Sequence, residues 1–344
     1  MKLVINQLAV ARSSRGVRRY FDRLAPPLLA GIRAAGWQVD SFAPSASGLV
    51  DRLREWSYRT ADAAVFWSPC QRGSLIADTQ VVTVHDCINV EHVHARDWRV
   101  GAYKAIFSRV LARARRVVAI SAATRDAILR NYDLDPRKLV VIRSASDLAV
   151  GQSEVAGTRL AAVRPAAVRT PFVLLVTNAL PHKNTAFACR TFARSALPRA
   201  GVGLCIVGEL AGEAREACRD GGITPTLCER IDDDALQALY RDCAFLWSPS
   251  LVEGHNLAIA EALCVGAPVL ASDIPVHREF FDPYAQFFDP TDPDAAIADL
   301  DRLWQQHGPA APRRPVSFGR GMHEVAAEYL ALFGEVAREG GVRR

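Results

Sequence analysis

SPSLVEGHNLAIAEALCVGAPVLASD, Ser248 to Asp273, reads as a strand end, a loop, a short helix and the start of a second strand. The apolar run into it ends in Phe245, Leu246 and Trp247, and the loop carries Gly254. Asn256 suits the N-cap of a helix from Leu257 to Cys264, which Gly266 and Pro268 close. Such a helix start offers free backbone N–H groups and the positive end of the helix dipole to an anion. Glu253 precedes it, and Glu261 lies roughly 7.5 Å further along the axis at about 1.5 Å per residue. One carboxylate then stands in front of the anion site and one behind it. A phosphate flanked by two acceptors for hydroxyls suggests a sugar nucleotide, with the sugar on one side and the ribose on the other. The alternative is a solvated helix with two surface acids.

Working outward, strand-like apolar runs alternate with longer helical patterns along the whole chain, the pattern of parallel sheets with crossover helices. The first half reads as strands over residues 3–6, 39–44, 64–69, 81–86, 117–121 and 139–143. The second half repeats the scheme over 172–177, 203–208, 226–230, 244–249, 268–273 and 285–288. Between them, Ser144 to Thr170 contains no aromatic residue and serves as the boundary. The predicted fold is α/β, with two Rossmann-like doubly wound domains facing across a cleft. Residues 1–150 form an acceptor-binding domain, 151–316 a nucleotide-sugar-binding domain, and 317–344 a terminal segment with a helix from Met322 to Ala337. Sheets of this kind take ligands beyond the carboxyl ends of their strands.

Composition narrows the classes further. A net charge of +5 spread over 344 residues, without an aromatic-studded basic tract, argues against nucleic acid. Eight scattered cysteines without a C-x-x-C pair read as reduced core thiols of a cytoplasmic protein. MKLVINQLAV runs straight into a strand without a small-residue cleavage site, so it is not expected to be a signal peptide. No window has the 18 or more apolar residues of a membrane span. From Arg96 to Arg116 seven basic residues face one acid, Asp97, around the apolar stripe Tyr103, Ile106, Phe107, Val110, Leu111 and Ala114. That stretch is either a docking face for an anionic membrane, at the inner face of the plasma membrane, or a core-facing helix with a solvated back.

Two glutamates seven residues apart, an Ala-Leu run, a Gly-Ala-Pro-Val turn and a Ser-Asp strand end together resemble the retaining glycosyltransferases of family 4, which have the GT-B fold. The resemblance implies transfer of a hexose from a nucleotide diphosphate sugar to a glycan or polyprenyl-linked glycan acceptor. It also implies retention of the anomeric configuration, no metal and no cofactor, and a terminal helix in 317–344 that crosses back to the first domain. It places Glu253 on the donor sugar hydroxyls and Glu261 on the ribose. Between them the family usually reads Gly-Phe-Gly-Leu-Pro, whereas this chain has Gly254, His255, Asn256, Leu257 and Ala258. The resemblance implies that the loop Gly254 to Asn256 and the helix end at Leu257 bind the donor diphosphate. In VTNALPHKN, Val176 to Asn184, Lys183 corresponds to the lysine that neutralises the leaving diphosphate, and it is one of only four lysines in the chain. Where the family often has arginine, this chain has His182 and Thr177.

The first loop keeps Gly16, Val17, Arg19 and Tyr20 of a family pattern that faces the donor phosphates, with Gly16 read as lying just before a helix and Arg15 and Arg18 where glycines are usual. His85, at the end of VVTVHD, corresponds to a histidine near the transferred sugar; the alternative is a buried, hydrogen-bonded histidine. Gly208 would let backbone approach the nucleotide, and Ile231 lies near the base, before an Asp232-Asp233-Asp234 run that reads as a helix cap rather than a metal site. His85, Cys87, His92 and His94 fit no zinc spacing. The His-Asp strand end and the run Ser272 to Glu279 resemble bacterial members that build surface polysaccharides, lipopolysaccharide included, with mannose-type donors, so a GDP-sugar is favoured. Two other classes fit the same fold. A sugar-nucleotide epimerase would convert donor without acceptor, and a silent scaffold subunit would bind partners without nucleotide.

Overall fold

Strands enclosed by helices on both sides must be apolar on both faces, which is why they show as unbroken apolar runs in the sequence. The computed structural model describes residues 1–45, 48–60, 64–91, 98–147, 165–308 and 313–341, with Trp98 and Arg99 as backbone only. All the predicted strands form. In the first half they are β1 (Lys2–Ile5), β2 (Gln38–Ser41), β3 (Ala64–Ser68), β4 (Gln80–Val84), β5 (Arg116–Ala119) and β6 (Leu139–Val141). In the second they are β7 (Phe172–Val176), β8 (Gly203–Val207), β9 (Thr226–Cys228), β10 (Phe245–Ser248), β11 (Val269–Ser272) and β12 (Gln286–Phe288).

The chain divides into two compact units, Met1–Ala145 with Arg320–Arg344, and Ser146–Gly319. The expected boundary at residue 150 falls within 148–164, outside the described residues. In the first unit the parallel sheet runs β2-β1-β3-β4-β5-β6. The terminal helix Met322–Gly341 belongs to this unit. Its Tyr329 and Phe333 rings lie 5.4 and 5.6 Å from Trp67 of β3, and Tyr329 Oη shares a hydrogen bond with Thr83 Oγ1 at 2.9 Å.

The helix Trp98–Arg113 spends its apolar stripe inward. Phe107, Val110 and Leu111 join Ala114, Val82, Val84 and Val117 in one core cluster, with Tyr103 packed against it. Of the two readings of this stretch the core-facing one describes the apolar residues, so only the basic back of the helix is left for any surface. Among the described residues no helix is long and apolar enough to cross a membrane.

In the second unit the parallel sheet runs β12-β11-β10-β7-β8-β9. Counted from β7 this is the 3-2-1-4-5-6 order of dinucleotide-binding sheets, in which strand order reverses at the first strand. Val173, Leu175, Phe245, Trp247 and Leu270 pack with Ala188 and Phe192 from the helix Thr185–Arg194 and with Leu300 and Leu303 from the helix Pro293–His307. β7 and β10 are neighbours in register, Phe245 opposite Val173 and Leu246 opposite Leu174. Their carboxyl ends flank the reversal, and the segments leaving them carry Lys183 and Glu253.

Candidate active site

β7 ends at Val176, and Pro181, with its fixed φ, opens a single 3-10 turn, Pro181–Lys183. Asn184 then takes a left-handed conformation, φ 54°, and starts the helix Thr185–Arg194. Thr177 Oγ1 lies 2.7 Å from Thr185 Oγ1, tying the strand end to that helix start. After β10, Ser248 to Asn256 loops to the helix Leu257–Cys264, whose first turn Asn256 caps by accepting a hydrogen bond from Ile259 N at 3.4 Å. The two segments are joined directly, since Leu251 N donates to the His182 carbonyl at 2.8 Å.

Across this junction Lys183 Nζ donates to Glu253 Oε1 at 2.5 Å, with side chains only 18% and 11% exposed. Burial raises the Glu253 carboxyl, but the charge and hydrogen bond of Lys183, with smaller pulls from His182 and His277, outweigh it and hold the group below its ordinary value. Glu253 is therefore an ionised acceptor beside a cation. Glu261 is 1% exposed, and Tyr240 Oη donates to its Oε2 at 3.2 Å. The two acids are thus not a solvated pair, and the surface reading of this helix is set aside. Lys183 is likewise an ion-paired residue of a turn and not a solvated helix end.

Gly254 is buried, and Leu257 is half-buried in the first helical turn. His255 is turned into the core. Its Nε2 lies 3.0 Å from Ser146 Oγ and its ring stands edge-on to Phe280 at 4.4 Å. Any donor contact expected of His255 therefore falls to its main chain, because the imidazole is engaged in packing. His182 is also buried, at 4%.

Gly208 has φ +112°, and a Cβ there would sit 2.1 Å from the Thr177 carbonyl oxygen. The glycine is needed for close approach of β7 and β8, a demand that the sequence alone assigns to a nucleotide. Ile231 is half-buried in the turn after β9, just before Asp232, which caps the helix Asp233–Asp242 by accepting from Ala235 N at 2.7 Å. The acid run is a cap, and among the described residues no group of three or more His, Cys, Asp or Glu is placed to hold a metal. Asp232→Ala is expected to cost about 1 kcal/mol, read as a lower thermal midpoint. An equal loss on chelator treatment of the wild-type protein would instead mark the run as a metal site.

Two expected residues lie in the first unit. Gly16 is inside the helix Arg15–Ala34, not before it, because Ser14 Oγ accepts from Val17 N and starts the helix one residue earlier; a Cβ at Gly16 would meet nothing within 4 Å. His85 is 5% exposed, donates from Nε2 to the Pro69 carbonyl at 2.8 Å and stands edge-on to Tyr20 at 5.0 Å. Burial pushes it down to about 4 against that hydrogen bond, so it is neutral. His92 and His94 lie outside the described residues.

One residue of the junction has no role of its own in the sequence reading, only a place in the Ser272 to Glu279 run. His277, in the helix Pro275–Phe281 after β11, is fully buried and lies within 3.1 Å of Asn256. Its signal was a lone histidine one turn into a helix among Val276, Phe280 and Phe281.

Residues 159–319 match the family described as Glycosyl transferases group 1, and residues 75–150 match Glycosyltransferase Family 4. The second half of the chain thus carries a group 1 glycosyltransferase domain. The group 1 match spans the Lys183–Glu253 junction and the whole second sheet. The chain is 26% identical over 277 residues to an MMP alpha-(1->4)-mannosyltransferase of Mycolicibacterium hassiacum, covering 74% of this chain and 64% of that protein. It is 23% identical over 229 residues to the O-antigen chain mannosyltransferase RfbU of Salmonella typhimurium, covering 65% and 61%. It thus spans less than two thirds of either relative. Among solved structures it is similar to Alr3699/HepE of Anabaena in complex with UDP-glucose, at a TM-score of 0.62, 13% identity and 98% coverage of both chains, which gives the GT-B fold.

Proposed function

We propose that this group 1 glycosyltransferase moves a hexose, mannose from a GDP-sugar foremost, onto a hydroxyl of a glycan or lipid-linked glycan, with retention and without a metal. The observation that carries the reading is the Lys183–Glu253 pair at the β7/β10 reversal, in front of the helix start at Asn256. A leaving diphosphate develops negative charge, and fixed donors in a water-poor site stabilise such charge far more than water does. Lys183 and the first turn of the helix Leu257–Cys264 supply those donors. Glu253 accepts from the sugar hydroxyls and Glu261 from the ribose. The sugar C1–O bond to the diphosphate breaks, a C1–O bond to the acceptor oxygen forms, and the acceptor proton passes to the departing phosphate. Relatives whose names specify mannosyl transfer and O-antigen assembly support a mannose donor and a surface-glycan acceptor, made on the cytoplasmic side of the membrane.

A thermal-shift panel of GDP-, UDP- and dTDP-sugars tests the donor assignment. A sugar nucleotide at a hundred times its Kd is expected to stabilise the protein by about 2.7 kcal/mol. Glu261→Ala should abolish that shift. It should also lower the ligand-free thermal midpoint, because the hydrogen bond from the buried Tyr240 hydroxyl to Glu261 is lost. Tyr240→Phe is the control, keeping Glu261 and most of the nucleotide shift. The reading fails if no nucleotide moves the wild-type midpoint, and conversion of the donor without any acceptor would mark an epimerase.

A further inference from the structure

Asn256 has φ 102° and ψ 82°, a backbone conformation open to glycine and strained for a residue with a Cβ. It is held there by a single consistent set of hydrogen bonds. His277 Nδ1 faces the Ser272 carbonyl at 2.9 Å and so carries the proton, which leaves Nε2 as an acceptor. Asn256 Oδ1 accepts from Ile259 N, so its Nδ2 points the other way and donates to His277 Nε2 at 3.1 Å and to Ser248 Oγ at 2.9 Å. Ser272 Oγ completes the set by donating to the Ser250 carbonyl. The ends of β10 and β11 and the start of the helix Leu257–Cys264 are thereby joined through one imidazole.

Burial also keeps that imidazole neutral, pushing it down to about 4 against the Ser272 hydrogen bond. The remaining charges near it are Glu253, Lys183 and Asp273.

We propose that His277 is a positioning residue: by holding Asn256 in a conformation that glycine adopts unaided, it fixes the loop from Glu253 to Asn256 and the helix start in the shape that receives a diphosphate. The second half of that statement rests on the donor site proposed above. A glycine at position 256 needs no such support, so the two positions are coupled, and glycine at 256 makes His277 dispensable. A histidine that merely fills space in the core would cost the same whatever residue stands at 256.

The test is a double-mutant cycle on the full chain, with His277→Ala, Asn256→Gly and the pair, reading calorimetric Kd values for GDP and UDP. His277→Ala is expected to weaken binding about tenfold or more when Asn256 is present. Asn256→Gly sets the reference for the second background, and the double variant should stay within about threefold of Asn256→Gly. Equal losses in both backgrounds, or none, overturn the proposal. Hydrogen exchange of peptides spanning residues 250–260 gives an independent readout without nucleotide. His277→Ala should speed exchange there when Asn256 is present and not in the Asn256→Gly background; the same change in both, or no change, again overturns it. If wild type binds neither nucleotide, the donor-site reading fails and exchange alone decides the role of His277. His277→Leu, closer in volume, repeats the comparison should the alanine variant not fold.

Discussion

Lys183→Ala is expected to lower kcat/KM for the preferred sugar nucleotide by about a hundred- to a thousandfold, the range seen on removing one fixed donor from a developing negative charge. The loss should fall on kcat as well as KM, since the diphosphate is most negative as it departs. A second effect follows from the partner. Without Lys183, the largest pulls against the burial of Glu253 are gone, and its carboxyl rises. In wild type the folded-state value is lowered, so the pair's contribution to stability is full above the unfolded value of about 4.3 and lost as pH falls through the lowered one. In Lys183→Ala the sign reverses, and the buried carboxylate destabilises the fold as pH rises through its raised value. The gap in thermal midpoint between the two proteins should therefore be small near pH 4 and wide near pH 7.5. Lys183→Met with Glu253→Gln should recover much of the stability and none of the activity. A constant gap across that range, or an active Lys183→Ala, would sink the assignment.

That pair was legible in the sequence only as two separate residues. Strands show because parallel sheets covered on both faces demand continuous apolar runs, and each run quoted from the sequence is a strand in the structure. Strand order does not show, because pairing is a long-range property, and it was the β7–β10 adjacency that brought Lys183 to Glu253 across 70 positions. Local chemistry was read well where it is local: Asn256 and Asp232 cap their helices as residue type and position indicate. Side-chain direction was not. His255 looked like a donor contact and is buried against Phe280, while His277, further along the chain, looked like part of a motif and holds the loop in shape. A histidine's role depends on which carbonyl or ring it meets, and that is set by tertiary packing.

Gly208 shows the same limit from the other side, and it carries the largest expected effect on stability. Its φ of +112° excludes most residues, and a Cβ would lie 2.1 Å from the oxygen and 3.0 Å from the carbon of the Thr177 carbonyl. Both are backbone atoms, so no rotamer change relieves the clash. The carbonyl cannot swing away freely, because Thr177 N is bonded to the Val207 carbonyl at 2.9 Å and Gly208 N to the Cys228 carbonyl at 3.1 Å. Overpacking of this kind costs about 1–3 kcal/mol and a forced positive φ about 1–3 more. Gly208→Ala is thus expected to lower the thermal midpoint of the second unit by roughly 5–20 °C at about 2–4 °C per kcal/mol. The displacement should also reach the site, since Thr177 hydrogen-bonds Thr185 at the start of the helix that follows Lys183. Nucleotide binding should weaken even at temperatures where the variant is folded. Gly212→Ala is the control: a Cβ there meets nothing within 4 Å, in the first turn of the helix Gly212–Asp220, and the midpoint should stay or rise slightly. Equal midpoints for the two variants would mean that β7 and β8 do not approach as closely as the structure has them. A normal midpoint with lost nucleotide binding would return Gly208 to the role first read from the sequence, direct contact with the donor.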